Sequence, residues 1–269
     1  MAFGPDRLPG AVVLTFDNLG EASELERGTW PPDAPLGSHP SVTVALPRLL
    51  DELAGHGLIA TFFVEAINCE LYPDAVREIA ARGHELAIHG WRHEQWETLA
   101  PARERELLVR SARAFTALGV DTTGFRPPGG RLTARSPELL RAAGIYWCSP
   151  EGGAFELRGG IAYVPFEWQH VDAYHLMAHF AQLRLARGDG AQALAPDALA
   201  RRLVAAVQEA ALRERALTVI LHPFLMLDEA WFAGVRELLA QLAALARQRR
   251  AWVVAGGAFA QLARRRAGP

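Results

Sequence analysis

Two histidines four residues apart, His89 and His93, follow directly on an apolar run in the segment Gly83-His84-Glu85-Leu86-Ala87-Ile88-His89-Gly90-Trp91-Arg92-His93-Glu94. If the chain makes one helical turn after Ile88, that spacing sets both imidazoles on one face. They could then reach one metal ion or one substrate. Alone, the pair also fits two solvated histidines at a helix start. Its meaning depends on what other elements bring beside it.

Short apolar, β-branched or aromatic runs recur at residues 11–16, 59–64, 85–88, 145–148, 161–164, 217–221 and 252–255, each a predicted strand. Helical periodicity fills the intervals at 44–54, 73–82, 101–118, 136–143, 196–213 and 228–248. Pro73-Asp74 and Ser136-Pro137-Glu138 open two of these helices, and Gly83 and Gly144 close them. Such alternation predicts a parallel sheet. No linker, charge block or repeat divides the chain, so residues 1–269 are expected to form a single α/β domain. About seven βα alternations suit a (β/α) barrel, closed or incomplete, better than a doubly wound open sheet.

In parallel βα folds, functional residues collect just past the C-terminal ends of strands. Here those ends read Thr15-Phe16-Asp17-Asn18, His89 through His93, Phe125-Arg126-Pro127-Pro128-Gly129-Gly130 and Leu221-His222-Pro223. Each alone could be a turn or a capped bend. Together they gather a carboxylate, an arginine and three histidines at one end of the sheet, whereas random placement would scatter them over both.

Composition narrows the partners. With 28 basic and 30 acidic residues the formal net charge is −2, which gives no electrostatic case for nucleic acid or an anionic membrane surface. Cys69 and Cys148 are too few for a disulfide scaffold or a Cys-rich metal site, and are expected as free thiols. No run reaches the roughly 18 apolar residues of a membrane span, and residues 1–10 lack a signal-peptide core, so the expected location is cytoplasmic. Oligomeric state is left open.

On these motifs the chain resembles the polysaccharide deacetylase family with chitooligosaccharide-deacetylase (NodB) homology, and in particular its peptidoglycan-deacetylase and allantoinase-like branch. Thr15-Phe16-Asp17-Asn18 stands where the family has Thr-Phe-Asp-Asp; Arg126-Pro127-Pro128-Gly129 and Leu221-His222 match its arginine and final histidine motifs; residues 167–172 resemble the segment supplying an aspartate. The resemblance implies a distorted (β/α) barrel that hydrolyses a non-peptide C–N bond, by N-deacetylation of an acetylated amino sugar or small glycoside. It implies Asp17 as general base, His222 as general acid, and Arg126 holding Asp17. Asp172 would position Arg126 or His222, and Asn18, His89 and His93 would bind a divalent metal, zinc being the best match to such ligands. Trp91, Trp168 and Pro128 lie beside motif residues as candidate cleft walls, with Trp96 a further candidate, since aromatic faces stack on sugars. Asn18 departs from the family pattern: it lacks the charge that offsets a divalent cation. A metal-independent cyclic amide or ureide hydrolase is therefore the rival reading, and a non-catalytic carbohydrate-binding protein a third.

The remaining histidines are expected to be structural. His39, His56 and His84 read as surface residues, and His170, His175 and His179 as a helix face. The long segment 19–40, rich in Gly and Pro, is expected to shape the cleft and favour a small or end-on substrate.

Overall fold

Gly10–Asp17, the sequence GAVVLTFD with every residue buried, forms the central strand β1 of a computed structural model that describes residues 3–266. A fully apolar run of this kind needs both faces covered, as in a parallel sheet flanked by helices. The strands that follow are β2 (Thr61–Val64), β3 (Glu85–Ile88), β4 (Gly124–Phe125), β5 (Trp147–Cys148), β6 (Glu156–Arg158), β7 (Ile161–Tyr163), β8 (Ala216–Leu221) and β9 (Ala251–Val254). They run in the order β6-β7-β5-β4-β3-β2-β1-β8, with β9 also paired to β1. All pairings are parallel except β6 with β7. The sheet curls toward closure: Val171 bridges Ile220 of β8, and Thr218 Oγ1 donates to the Pro165 carbonyl at 2.8 Å. This is the expected distorted barrel, a single α/β domain.

All seven expected strands are present, and two more join them. β4 is only two residues long, and Gly124 lies against Trp147, whose ring would stand 2.3 Å from any Cβ there. β6 is an antiparallel edge strand joined to β7 by Gly159-Gly160, both at positive φ, as a two-residue hairpin turn requires. The six expected helices form within two residues of their predicted bounds, as Leu46–His56, Pro73–Ala81, Pro101–Ala117, Ser136–Ala142, Pro196–Leu212 and Glu229–Arg247, and Gly256–Arg266 adds a seventh long one. Asp228 caps the longest, its Oδ1 accepting from the Ala230 and Trp231 amides at 2.8 and 3.1 Å. No helix among the described residues is long and apolar enough to cross a membrane.

The alternation of side chains along each strand creates two cores. Val12, Leu14, Phe16, Phe62, Val64, Leu86 and Ile88 face the helices, whereas Ala11, Val13, Phe63, Ala87, Trp147, Ala162 and Val164 fill the barrel. Continuing the inward rows by two residues at the C-terminal ends gives Thr15 and Asp17 on β1, Glu65 after β2, His89 after β3 and Ser149 after β5. Arg126 follows β4 and His222 follows β8 in the same layer. The barrel interior is thus apolar below and polar above.

Candidate active site

Asp17 and Arg126 form the centre of this polar layer, both almost fully buried. Arg126 Nη1 donates to Asp17 Oδ1 at 2.6 Å and to Thr15 Oγ1 at 2.9 Å. Its Nε and Nη2 grip Ser149 Oγ at 3.2 and 2.8 Å, and the guanidinium lies 3.9 Å over the Phe63 ring. A planar fork with this many fixed contacts orients the carboxylate as no lysine would. Asp17 Oδ2 stands 3.9 Å from His89 Nε2, a gap that admits a bridging water.

His89 and His93 meet without the helical turn expected of them. After β3 the Gly90 and Trp91 carbonyls accept hydrogen bonds from the Ala66 and Ile67 amides at 3.0 and 3.1 Å, which turns the backbone sideways. Gly90 and His93 both take positive φ, and the Glu94 carboxylate accepts from the Trp91 and Arg92 amides at 2.9 and 3.0 Å. A Cβ at Gly90 would lie 2.7 Å from Glu94 Oε2, so glycine is needed there. The two imidazoles lie edge to face with centroids 4.9 Å apart. His89 Nδ1 donates to the Arg126 carbonyl at 2.8 Å, which leaves Nε2 as the ring atom with a free lone pair.

Opposite them, Asp172 is completely buried and accepts four hydrogen bonds. His222 Nδ1 and the Ala173 amide reach Oδ1 at 2.5 and 2.6 Å; the His222 amide and Trp231 Nε1 reach Oδ2 at 2.8 and 3.3 Å. Of the two partners expected for Asp172, the carboxylate takes His222; Arg126 is held by Ser149 instead. The histidines therefore diverge in charge. Burial opposes protonation of His222, but the Asp172 charge and hydrogen bond, helped by Asp17, outweigh it and hold its pKa above the ordinary value. Burial, reinforced by neighbouring positive charge, pushes His89 down to about 3 and His93 well below its ordinary value, so both are neutral with lone pairs available.

These groups line a cleft of about 250 Å³ whose other walls are Asn18, Pro127, Gly129, Gly130, Phe166 and Trp168. Trp168 is placed as expected, edge to face with Phe166. Two expected cleft residues are elsewhere. Trp91 is buried in the helix-side core with Arg110 stacked 3.5 Å over its ring, because the turn at Gly90 throws it outward. Pro128 is buried against that turn, and Pro127 faces the cleft in its place. Trp96 is also core, donating to Glu104 and Ser136.

Several histidines differ from expectation. His39 is buried beside Ser41 and lines the cleft, held there because the inserted segment folds back: its Glu21 accepts from Tyr72 Oη, which in turn accepts the His39 amide. His179 lines the opposite rim rather than a plain helix face, whereas His175 is buried with Nε2 on the Gln169 carbonyl. His84 is buried, not exposed, and burial lowers its pKa to about 4. His56 is half-exposed beside Glu52, near its expectation. Cys69 and Cys148 are free and buried.

Glu65 was not among the expected site residues, although Val64-Glu65 ends a strand as Phe16-Asp17 does. It is fully buried, and burial first, with Asp17 and Glu94 nearby, raises its pKa well above the carboxylate range. Its ligand-capable oxygen and ring nitrogens of His89 and His93 lie within 4.8 Å of one another. Asn18 Oδ1 and Glu65 Oε1 are buried acceptors with no hydrogen-bond partner. Orphaned oxygens beside neutral imidazoles fit a divalent cation by their chemistry.

Comparisons with known proteins bear on the family and the fold. The family profile for polysaccharide deacetylases matches residues 6–147. A peptidoglycan-N-acetylglucosamine deacetylase of Bacillus cereus is 30% identical over 87 residues, 32% of this chain and 32% of its own. The chain spans between 32% and 40% of the length of the first curated relatives it matches. Among solved structures, a polysaccharide-deacetylase-like protein of Mycobacterium smegmatis superposes with a TM-score of 0.83 at 24% identity, covering 98% of this chain and 93% of that one. An allantoinase superposes with a TM-score of 0.76 at 17% identity, covering 96% and 91%. At these identities the two structures establish the shared fold.

Proposed function

This chain belongs to the polysaccharide deacetylase family, and on that basis we propose that it hydrolyses the amide of a small N-acylated substrate, an acetylated amino sugar or compact glycoside. The observation that carries the proposal is geometric: Asp17, held through Oδ1 by Arg126, and His222, held through Nδ1 by Asp172, line one cleft with His89 and His93. Amide hydrolysis needs a base for water and an acid for the departing amine, and this arrangement supplies a separate, separately braced group for each.

Asp17 Oδ2 is the base, since Oδ1 is committed to Arg126 while Oδ2 stands 3.9 Å from His89 Nε2, too far for a direct hydrogen bond. His222 gives the proton to the amine nitrogen through Nε2, its Nδ1 being fixed on Asp172. Arg126 and Ser149 hold Asp17 against rotation, which keeps base and acid on facing sides of the acyl group. His89 and His93 would hold a divalent ion, zinc by ligand type, which when bound would lend Lewis acidity to the cleft.

The cleft volume of about 250 Å³ is below the roughly 300–1,000 Å³ of ordinary small-molecule pockets, and the inserted segment narrows it with Glu24, Arg27 and His39. Both favour a short substrate over the middle of a polymer. Trp168 offers a face for a sugar ring. Asn18, with no charge for a cation, supports a second reading: metal-independent hydrolysis of a cyclic amide or ureide.

Acetate release from N-acetylated mono- and oligosaccharides, from polymer, and ring opening of a cyclic ureide, each with and without chelator, separate the readings. The proposal expects chelator-sensitive release from the short sugars. Chelator-insensitive ureide turnover favours the second reading, and binding without turnover of any substrate favours a carbohydrate-binding protein.

A further inference from the structure

The inward row of β2 runs Thr61, Phe63 and then Glu65, which puts a carboxylate in the same polar layer as His89 and Asp17. Its two oxygens are not equivalent. Oε2 accepts from the Leu19 amide at 3.2 Å and from Asn68 Nδ2 at 3.4 Å, so the carboxylate is braced by the residue next to Asn18. Oε1 is buried and accepts nothing.

Two imidazoles stand near the carboxylate. His89 turns its Nε2 lone pair inward because Nδ1 is used on the Arg126 carbonyl. The Glu65, His89 and His93 ligand atoms lie within 4.8 Å of one another, and Asn18, whose Oδ1 is also buried and unpartnered, lines the cleft beside the two histidines. Among the described residues no hydrogen-bond donor meets either orphaned oxygen. A buried carboxylate oxygen without a partner is costly, and a cation held by Glu65, His89 and His93 would satisfy it.

We propose that Glu65 is the carboxylate ligand of this protein's divalent-ion site, acting with His89 and His93 and supplying from β2 the negative charge that Asn18 does not carry on β1. The formal charge of the ligand set is then the same as that of two histidines and one aspartate, so the neutral Asn18 does not leave the cation uncompensated. Asn18 remains as a neutral oxygen beside it. The assignment rests on the metal-assisted reading above only for the presence of an ion, and it is read by binding rather than by turnover.

The test is Zn²⁺ titration of chelator-stripped protein against a fluorescent indicator, for the wild type, Glu65→Gln, and Glu65→Gln combined with Asn18→Asp. Glutamine keeps an oxygen for the Leu19 amide and Asn68, so the brace survives. The wild type should bind one Zn²⁺ per chain. Glu65→Gln should weaken binding at least about a hundredfold, the upper end of what outer-sphere partners cost and a lower bound for a ligand. Adding Asn18→Asp should recover at least about tenfold of that loss. In wild-type crystals soaked in Zn²⁺, anomalous density should lie about 2.0–2.2 Å from Glu65 Oε1, a readout that needs no variant to fold. Stoichiometric binding that Glu65→Gln leaves unchanged, no stoichiometric binding by the wild type, or an ion placed away from Glu65 would each overturn the assignment. Tight binding through Glu65 in a protein that hydrolyses nothing supports it and removes the proposed function instead.

Discussion

Replacing Asp172 by Asn probes the acid half of the site without touching the cleft surface. Asp172 uses both oxygens twice, Oδ1 on Ala173 N and His222 Nδ1, Oδ2 on His222 N and Trp231 Nε1. An asparagine has one oxygen, so whichever way its amide turns, an NH₂ group confronts one pair of donors. The lost charge matters more. A hydrogen bond to a charged group contributes about 1.5–3 kcal/mol, and at about 1.36 kcal/mol per factor of ten its loss reduces the protonated His222 population roughly 10- to 150-fold above its pKa. Burial and Arg126 then act on His222 unopposed by Asp172, and both lower its pKa. Asp172→Asn should therefore lower kcat/KM by that factor at alkaline pH and move the alkaline limb of the rate profile to lower pH. NMR titration of the His222 ring measures the same change without a substrate. An imidazole that titrates in the variant as in the wild type would refute the coupling of Asp172 to His222.

Stability should depend on pH through the neutral histidines. The His89 pKa is about 3 in the fold against about 6.5 unfolded, so the unfolded chain binds the extra proton and stability falls as pH drops below 6.5. Between pH 7 and 5 this amounts to about 2 kcal/mol for His89. His93 acts in the same direction, whereas His222 and Glu65, whose pKa values are raised, act oppositely, losing their contributions as pH rises through their folded values. NMR titration of the His89 ring in metal-free folded protein between pH 7 and 5 checks this; a ring that takes up its proton near pH 6.5 would contradict the burial of a neutral imidazole. The two tryptophans should separate cleanly: Trp168→Ala should raise KM with little loss of stability, while Trp91→Ala should cost about 3–5 kcal/mol of folding and leave KM nearly unchanged. Steady-state kinetics with thermal melts distinguish them, and an unchanged KM for Trp168→Ala removes that side chain from the substrate wall.

Asp17, His89 and His222 were legible because each directly follows an apolar run, Arg126 because it stands in the segment Phe125-Arg126-Pro127-Pro128-Gly129-Gly130, and the ends of parallel strands share one rim. Glu65 and Ser149 satisfy the same rule after β2 and β5 but stand in no residue pair that announces chemistry. The inward parity of Phe63-Glu65 and Trp147-Ser149 carries the missing signal. Parity also accounts for the tryptophans. Trp168 continues the inward row of Ala162, Val164 and Phe166, whereas Trp91 would continue that of Ala87 and His89 but for the positive φ of Gly90. His39 and His179 reach the cleft through long-range contacts such as Glu21 with Tyr72, which no local pattern encodes. Gly159-Gly160 marked the β6–β7 hairpin, but a three-residue exposed strand offers too little apolar pattern to be read beforehand.

The central claim is that Asp17 removes the proton from the attacking water at an amide-cleaving centre. Acetate release by Asp17→Asn, compared with the wild type on the same N-acetylated sugar and with folding verified by circular dichroism, tests it most directly. The account predicts a fall in kcat of about 10²–10⁴, the range general base catalysis supplies. Undiminished acetate release by the folded variant would contradict it.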